Sequence, residues 1–155
     1  MLHRNAIAFD PGKTTGVATL LRGKFNGFEL GGSFKEKAAE IEKALTPGSW
    51  GKWDYVIYEK YIITNRTAKL TQQHEPLMLI GVIEHFAEAA IGQTPSAGKQ
   101  FATDDLLKAV GWWMPTPGGH IQDAARHLLK AGFGLHFLPD DVVTKATQYT
   151  LEETY

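Results

Sequence analysis

The 155-residue chain contains no cysteine. That excludes a disulfide framework and any thiolate metal site, so a bound metal would have to be held by oxygen and imidazole ligands. It also lacks an excess of either charge: 16 Lys and Arg stand against 17 Asp and Glu, for a net charge of −1. No global electrostatic argument for nucleic acid follows, and any such binding has to come from a local patch. No apolar run approaches the ~20 residues that would span a bilayer. Met1 to Asn5 lead straight into an apolar stretch and leave no room for a signal peptide. A soluble cytoplasmic protein is therefore expected. Internal repeats and low-complexity tracts are absent as well.

What is present suits one globular domain. Hydrophobic residues make up 43% of the chain, and the length is enough to bury a real core. A single domain over residues 1–155 is expected, with 139–155 a partly helical, loosely packed tail.

The stretch from Ala6 to Ala18 organises the rest. Ala6-Ile7-Ala8-Phe9 and Val17-Ala18 are apolar, and Asp10-Pro11-Gly12-Lys13-Thr14-Thr15-Gly16 lies between them. This reads as a strand, a tight loop and an antiparallel return strand. Asp10 falls where the first strand stops, so its carboxylate is rigidly held, as chemistry requires. The same residues also suit a plain turn, since Asp, Pro and Gly each favour one.

Arg22-Gly23-Lys24 makes the next turn, and Phe25 to Gly32 reads as a third strand, completing a meander. Ser33 with Glu36 forms a capping-box pattern ahead of a helix whose apolar positions are Ala38, Ile41, Ala44 and Leu45. Asp54 to Tyr58 follows as a short β-branched and aromatic strand. Coming after a helix, it is expected to pair in parallel with the first strand through a crossover. Glu59 then closes that strand as Asp10 closes the first, and parallel neighbours put both carboxylates at one sheet edge.

Lys60 to Gln73 reads as a polar linker, and from Lys60 to His74 the chain carries Lys60, Arg66 and Lys69 with no acid. Pro76 to Ile91 is apolar on almost every side, the pattern of a buried helix or of one shared between a core and a partner. Gln93 to Gly98 reads as a short strand, with Lys99 beyond it, and Thr103 caps a short helix over 104–110. His120 to Ala131 reads as an amphipathic helix stopped by Gly132. His120, Asp123 and His127 share its polar edge, because i, i+3 and i+7 fall on one face.

Asp10, Glu59 and Asp123, with His120 beside them, are a donor set for Mg²⁺ or Mn²⁺. Three carboxylates at one point repel, so without metal at least one should take up its proton at higher pH than usual. Two ions roughly 3.5–4 Å apart can activate a water and stabilise a leaving oxygen in phosphoryl transfer.

Ile7-Ala8-Phe9-Asp10-Pro11-Gly12 with Thr15-Gly16-Val17-Ala18, then Val56-Ile57-Tyr58-Glu59, then His120-x-x-Asp123-Ala124 resembles the RuvC family of Holliday junction resolvases, within the ribonuclease H-like superfamily. The motifs fall in family order and span most of the chain. The resemblance implies an α/β, ribonuclease H-like fold with a mixed five-stranded sheet flanked by helices. It places the catalytic, metal-site residues at Asp10, Glu59, His120 and Asp123. It implies a homodimer that nicks branched DNA (a four-way junction) in pairs, using two Mg²⁺ or Mn²⁺ ions per active site, and no membrane. Some members carry Asp where His120 stands, so His120 is expected to ligate metal or to assist proton transfer. The family's basic character is missing here. Arg66, Lys69 and Lys99 are the candidate DNA-binding residues, against the plainer reading of solvated side chains.

Other readings compete. Gly12-Lys13-Thr14 is not a P-loop, because Ile7 stands where that motif needs glycine. A sugar-kinase or actin-type ATPase needs two such domains. RNA-processing nucleases of the same superfamily share fold and length, and a non-catalytic junction-binding protein is a third alternative. His127 is expected to be structural. Trp112 and Trp113 suit either the core or stacking on bases.

Overall fold

The computed structural model describes residues 3–65 and 74–154. Its centre is a five-stranded sheet in the order β3-β2-β1-β4-β5. The strands are β1 (Ala6–Asp10), β2 (Thr15–Leu21), β3 (Lys24–Leu30), β4 (Tyr55–Glu59) and β5 (Ala90–Gln93). β1, β2 and β3 form the antiparallel meander. Arg22 and Gly23 both take positive φ, at 52° and 76°, so the β2–β3 turn has the twist that suits a two-residue hairpin. β4 joins β1 in parallel, Ala6 facing Tyr55 and Phe9 facing Tyr58, and β5 joins β4 in parallel. The mixed sheet, antiparallel in its first half, is the one the sequence predicts.

The six helices bounded within the described residues are α1 (Phe34–Leu45), α2 (Glu75–Phe86), α3 (Pro95–Phe101), α4 (Asp104–Ala109), α5 (His120–Leu135) and α6 (Asp140–Thr154). The central strand β1 is buried on both faces, and its alternation divides the core. Ile7 and Phe9 pack with Val56, Tyr58, Ile41, Leu79 and Ile83, which belong to β4, α1 and α2. Ala6 and Ala8 face Ala124, Ala125 and Leu128 of α5. Small alanines on that face let α5 lie close against the sheet.

Four boundaries differ from the sequence reading. The apolar stretch predicted as one helix to Ile91 stops at Phe86, and Ala90–Gln93 becomes β5. The open edge of β4 supplies a ladder that an apolar run with β-branched residues can join, and periodicity alone cannot separate the two. Gln93 to Gly98 is then the end of β5 followed by α3, with Pro95 in the helix's first turn. α5 continues through Gly132 to Leu135, capped by His136 in the left-handed region at φ 55°. Gly132 serves close packing, because a Cβ there would lie 2.3 Å from Leu138 Cδ2. The stretch after Pro139, expected as a partly helical, loosely packed tail, is helical throughout the 15 residues of α6, with Val142 and Ala146 in the α5-side core.

Ser33 caps α1 by accepting from Glu36 N–H at 3.2 Å, while its hydroxyl donates to the Glu36 carboxylate. The buried face of α1 runs Lys37, Ile41, Ala44, Leu45, so it begins on a lysine rather than on Ala38.

Candidate active site

β1 and β4 end side by side. Their register extends Phe9 opposite Tyr58, which leaves Asp10 and Glu59 at the same edge of the sheet. The third contributor comes from across the layer. Gly16 of β2 pairs with Asp10, and a Cβ on it would lie 1.9 Å from the His120 carbonyl oxygen. Gly27 of β3 would likewise collide with Ile121 Cγ2 at 2.5 Å. Two glycines on adjacent strands therefore admit the backbone at the start of α5, and this seats His120 and Asp123 beside Asp10. Gly118 and Gly119, at φ 83° and 70°, turn the chain into that helix.

Asp10 is nearly enclosed, with its side chain 12% exposed, and its Oδ2 lies 3.1 Å from His120 Nδ1. Burial pushes its carboxyl up from 3.8 to about 7, and the negative charge of Glu59 pushes the same way. The His120 hydrogen bond opposes the rise, Asp123 adds to it, and the charge of His120 opposes it again. Glu59 Oε2 lies 2.8 Å from His127 Nε2. Asp123 Oδ1 accepts from Arg126 Nη1 at 2.6 Å, and its other oxygen lies 4.0 Å from Lys99 Nζ. Arg126 also pairs with Asp104 and donates from Nε to the Ala102 carbonyl.

Each carboxylate thus has its own basic partner. Among the described residues, no three His, Cys, Asp or Glu side chains stand grouped as a ready metal centre. The donor chemistry does suit a hard divalent cation: three carboxylates and one imidazole, without sulfur. The Asp10 carboxyl is raised by burial first and by the charge of Glu59 second, and a bound cation would favour its ionised form against both.

Beside Asp123 opens a cleft of about 440 Å³, lined by Lys99, Thr103, Trp113, Gly119, Asp123 and Arg126 among others. Lys99 stands exposed at its rim. Trp113 lies under Lys108 Nζ at 5.0 Å, whereas Trp112 belongs to the core and stacks on Phe25 at 4.7 Å.

The architecture has solved counterparts. Matching structures include "T. thermophilus RuvC in complex with Holliday junction substrate", at a TM-score of 0.66 and 17% identity, over 86% of this chain and 96% of that one. A second, "Thermus thermophilus RuvC structure", aligns at a TM-score of 0.62 and 17% identity, over 85% and 95%. The fold is that of RuvC. No family model and no curated protein matches the sequence.

Within this RuvC fold, Asp10 and His120 are in direct contact, and Glu59 and Asp123 are close enough for their charges to act on Asp10. Lys99 lies at the adjacent cleft, and Arg66 and Lys69 fall outside the described residues. Two further contributors escaped the sequence reading, and a third was named without its partner. Lys37 is fully buried and its ammonium donates to the carbonyls of Gly12 at 3.0 Å and Lys13 at 2.6 Å, clamping the loop that follows Asp10. It also pairs with Glu75 at 2.5 Å. The available signal was a lysine four and seven residues before Ile41 and Ala44, on the apolar stripe of its helix. Arg126 follows Asp123 at i+3, a spacing that does place two side chains together on a helix. His127 was placed on the correct face, but its partner comes from β4, 68 residues away in the chain.

Proposed function

We propose that the chain is a metal-dependent, structure-selective DNA endonuclease that resolves four-way junctions by paired nicks. The observation that carries this reading is the convergence of Asp10, Glu59, His120 and Asp123 at one edge of a RuvC-fold sheet, where Asp10 is buried and charged neighbours hold its proton on to about pH 7. The solved structure of a RuvC with a Holliday junction substrate supports branched DNA as the substrate class.

Asp10, Glu59, Asp123 and His120 would hold the cations. Two bound Mg²⁺ or Mn²⁺ ions would supply an activated water and stabilise the leaving oxygen of the phosphodiester. The protein's own part is positional. β1 and β4 fix two carboxylates on rigid strand ends, and Gly16 and Gly27 let α5 bring the third. His120 Nδ1, 3.1 Å from Asp10 Oδ2, orients that carboxylate. Lys99, Arg66 and Lys69 hold phosphates and so set strand position rather than sequence preference.

Paired nicks need two copies of the site. A homodimer through α2 meets that need, because Leu79 and Ile83 face the core while Leu77 and Met78 stay exposed on the same helix. Among the described residues no helix is long and apolar enough to cross a membrane, and a cytoplasmic place of action accords with a DNA substrate.

The test is cleavage of a labelled four-way junction beside a duplex, a flap and a structured RNA, in Mg²⁺, Mn²⁺ or EDTA. Symmetric paired nicks in the junction, lost in EDTA, are expected. Cleavage of RNA alone would transfer the assignment to an RNA-processing nuclease. Tight junction binding without cleavage in either metal would identify a non-catalytic binding protein.

A further inference from the structure

His127, expected to be structural, is deeply enclosed near the site, 1% exposed, on the helix edge it shares with His120 and Asp123. Four elements close around it. From β4, Glu59 Oε2 meets its Nε2 at 2.8 Å. From β5, Gln93 Oε1 meets its Nδ1 at 2.9 Å. From α3, Gly98 lies flat against the ring, and a Cβ there would come within 2.9 Å of its Cε1. α5 carries the ring itself.

The hydrogen bonds around the ring fix its orientation. Gln93 Nε2 donates to the His127 carbonyl at 3.3 Å, so its Oε1 is the atom turned to the ring. An amide oxygen only accepts, and Nδ1 must therefore be the donor. The remaining nitrogen, Nε2, faces the Glu59 carboxylate at 2.8 Å. Glu59 and Gln93 are themselves opposite each other in the β4–β5 register. A strand pair thus presents both ends of the clamp, and a glycine on the next helix makes room for the ring between them.

We propose that His127 is a positioning residue for Glu59, oriented by Gln93 and accommodated by Gly98, which holds the carboxylate at the rim of the site in one rotamer. The inference deepens the nuclease reading and rests on it for what Glu59 does. A carboxylate on a flexible side chain loses rotamer freedom when it binds a cation, and a preset hydrogen bond removes part of that cost. The ring's hydrogen bond, and not merely its bulk, should therefore matter.

The experiment compares the wild type, His127→Phe and His127→Gln by Mn²⁺ titration calorimetry on the DNA-free protein, with circular dichroism and thermal unfolding for the fold. His127→Phe keeps the bulk and loses the donor, and should weaken Mn²⁺ binding about 10- to 100-fold. His127→Gln keeps a donor and should recover most of that loss. In parallel, the ¹⁵N-labelled histidine ring of His127 should show an Nε2 signal that shifts in Glu59→Ala and an Nδ1 signal that shifts in Gln93→Leu. Gln93→Leu also stands in if His127→Phe does not fold, since it leaves α5 intact; it too should weaken Mn²⁺ binding. A folded His127→Phe that binds Mn²⁺ as the wild type does would overturn the proposal, as would ring signals indifferent to Glu59. Ring signals that respond to Glu59 in a wild type that binds no Mn²⁺ would uphold the clamp and refute the metal-dependent reading instead.

Discussion

Replacing Asp10 by asparagine should stabilise the metal-free protein at neutral pH while removing its activity. Burial is the cause. Well below pH 3.8 the Asp10 carboxyl is protonated whether the chain is folded or unfolded, and it contributes nothing to the difference. As pH rises, the unfolded chain releases this proton at its ordinary 3.8, while the folded chain keeps it to about 7 because burial and Glu59 disfavour the anion. Over that window the unfolded state binds fewer protons than the folded one, so stability falls as pH rises, and the loss is complete above about 7. At ~1.4 kcal/mol per tenfold change, the full loss is about 4 kcal/mol. Asparagine fills the same space and still offers His120 an acceptor, yet carries no charge. Asp10→Asn should therefore exceed the wild type by about 2–4 kcal/mol at pH 8 in EDTA, and by less than about 1 kcal/mol at pH 4. Denaturant unfolding of both proteins from pH 4 to pH 8 measures this directly. Adding Mg²⁺ or Mn²⁺ should raise the wild type, by about 2.7 kcal/mol at a hundredfold excess over its Kd, and leave the variant nearly unchanged. Equal stabilities at pH 8, or a gap that does not change with pH, would refute the view of Asp10 as a charge held against burial and its neighbours.

Four further outcomes follow from other features of the fold. Gly16→Ala should cost about 1–3 kcal/mol by overpacking and should abolish cleavage, since the new Cβ meets backbone at His120 rather than a movable side chain; unfolding and junction cleavage together measure it. Lys37→Met should cost about 3 kcal/mol, because it leaves Glu75 and two loop carbonyls without their partner; a denaturation curve shifted by less than a third of that would count against the clamp. Neutralising Lys99, Arg66 and Lys69 together should weaken junction binding and flatten its dependence on log salt by roughly one for each phosphate that is no longer neutralised; an unchanged slope would remove them from the interface. Sedimentation at micromolar concentration should give a dimer, and Met78→Glu a monomer; a wild-type monomer would exclude α2 as a stable interface.

Much of the site was legible because its chemistry sits at the ends of short, strongly patterned elements. Asp10 and Glu59 each follow an apolar run, and a helix between two such runs calls for a parallel pair, so their meeting needed only the handedness and spacing of a crossover. His120 and Asp123 were legible from helical spacing within one segment. The C-terminal half of α2's apolar stretch was not legible, because a run apolar on all sides suits a buried strand as well as a buried helix, and only the free edge of β4 chose between them.

The sequence by itself determined the meander, the crossover, the capped helix α1 and the placement of Asp10 and Glu59 at one sheet edge, because each rests on local pattern and chain direction. Tertiary structure alone decided which partners those carboxylates keep. Lys37 reaches the loop after Asp10 from 24 residues away, His127 reaches Glu59 from 68, and His120 meets Asp10 from 110. Tertiary structure also decided what the glycines are for. Gly16, Gly27, Gly98 and Gly132 mark places where another element approaches closely, and a missing Cβ has meaning only when the neighbour that fills its space is known. Contacts across the sheet layers depend on how two elements pack, and packing is a property of the assembled core rather than of any one stretch of chain.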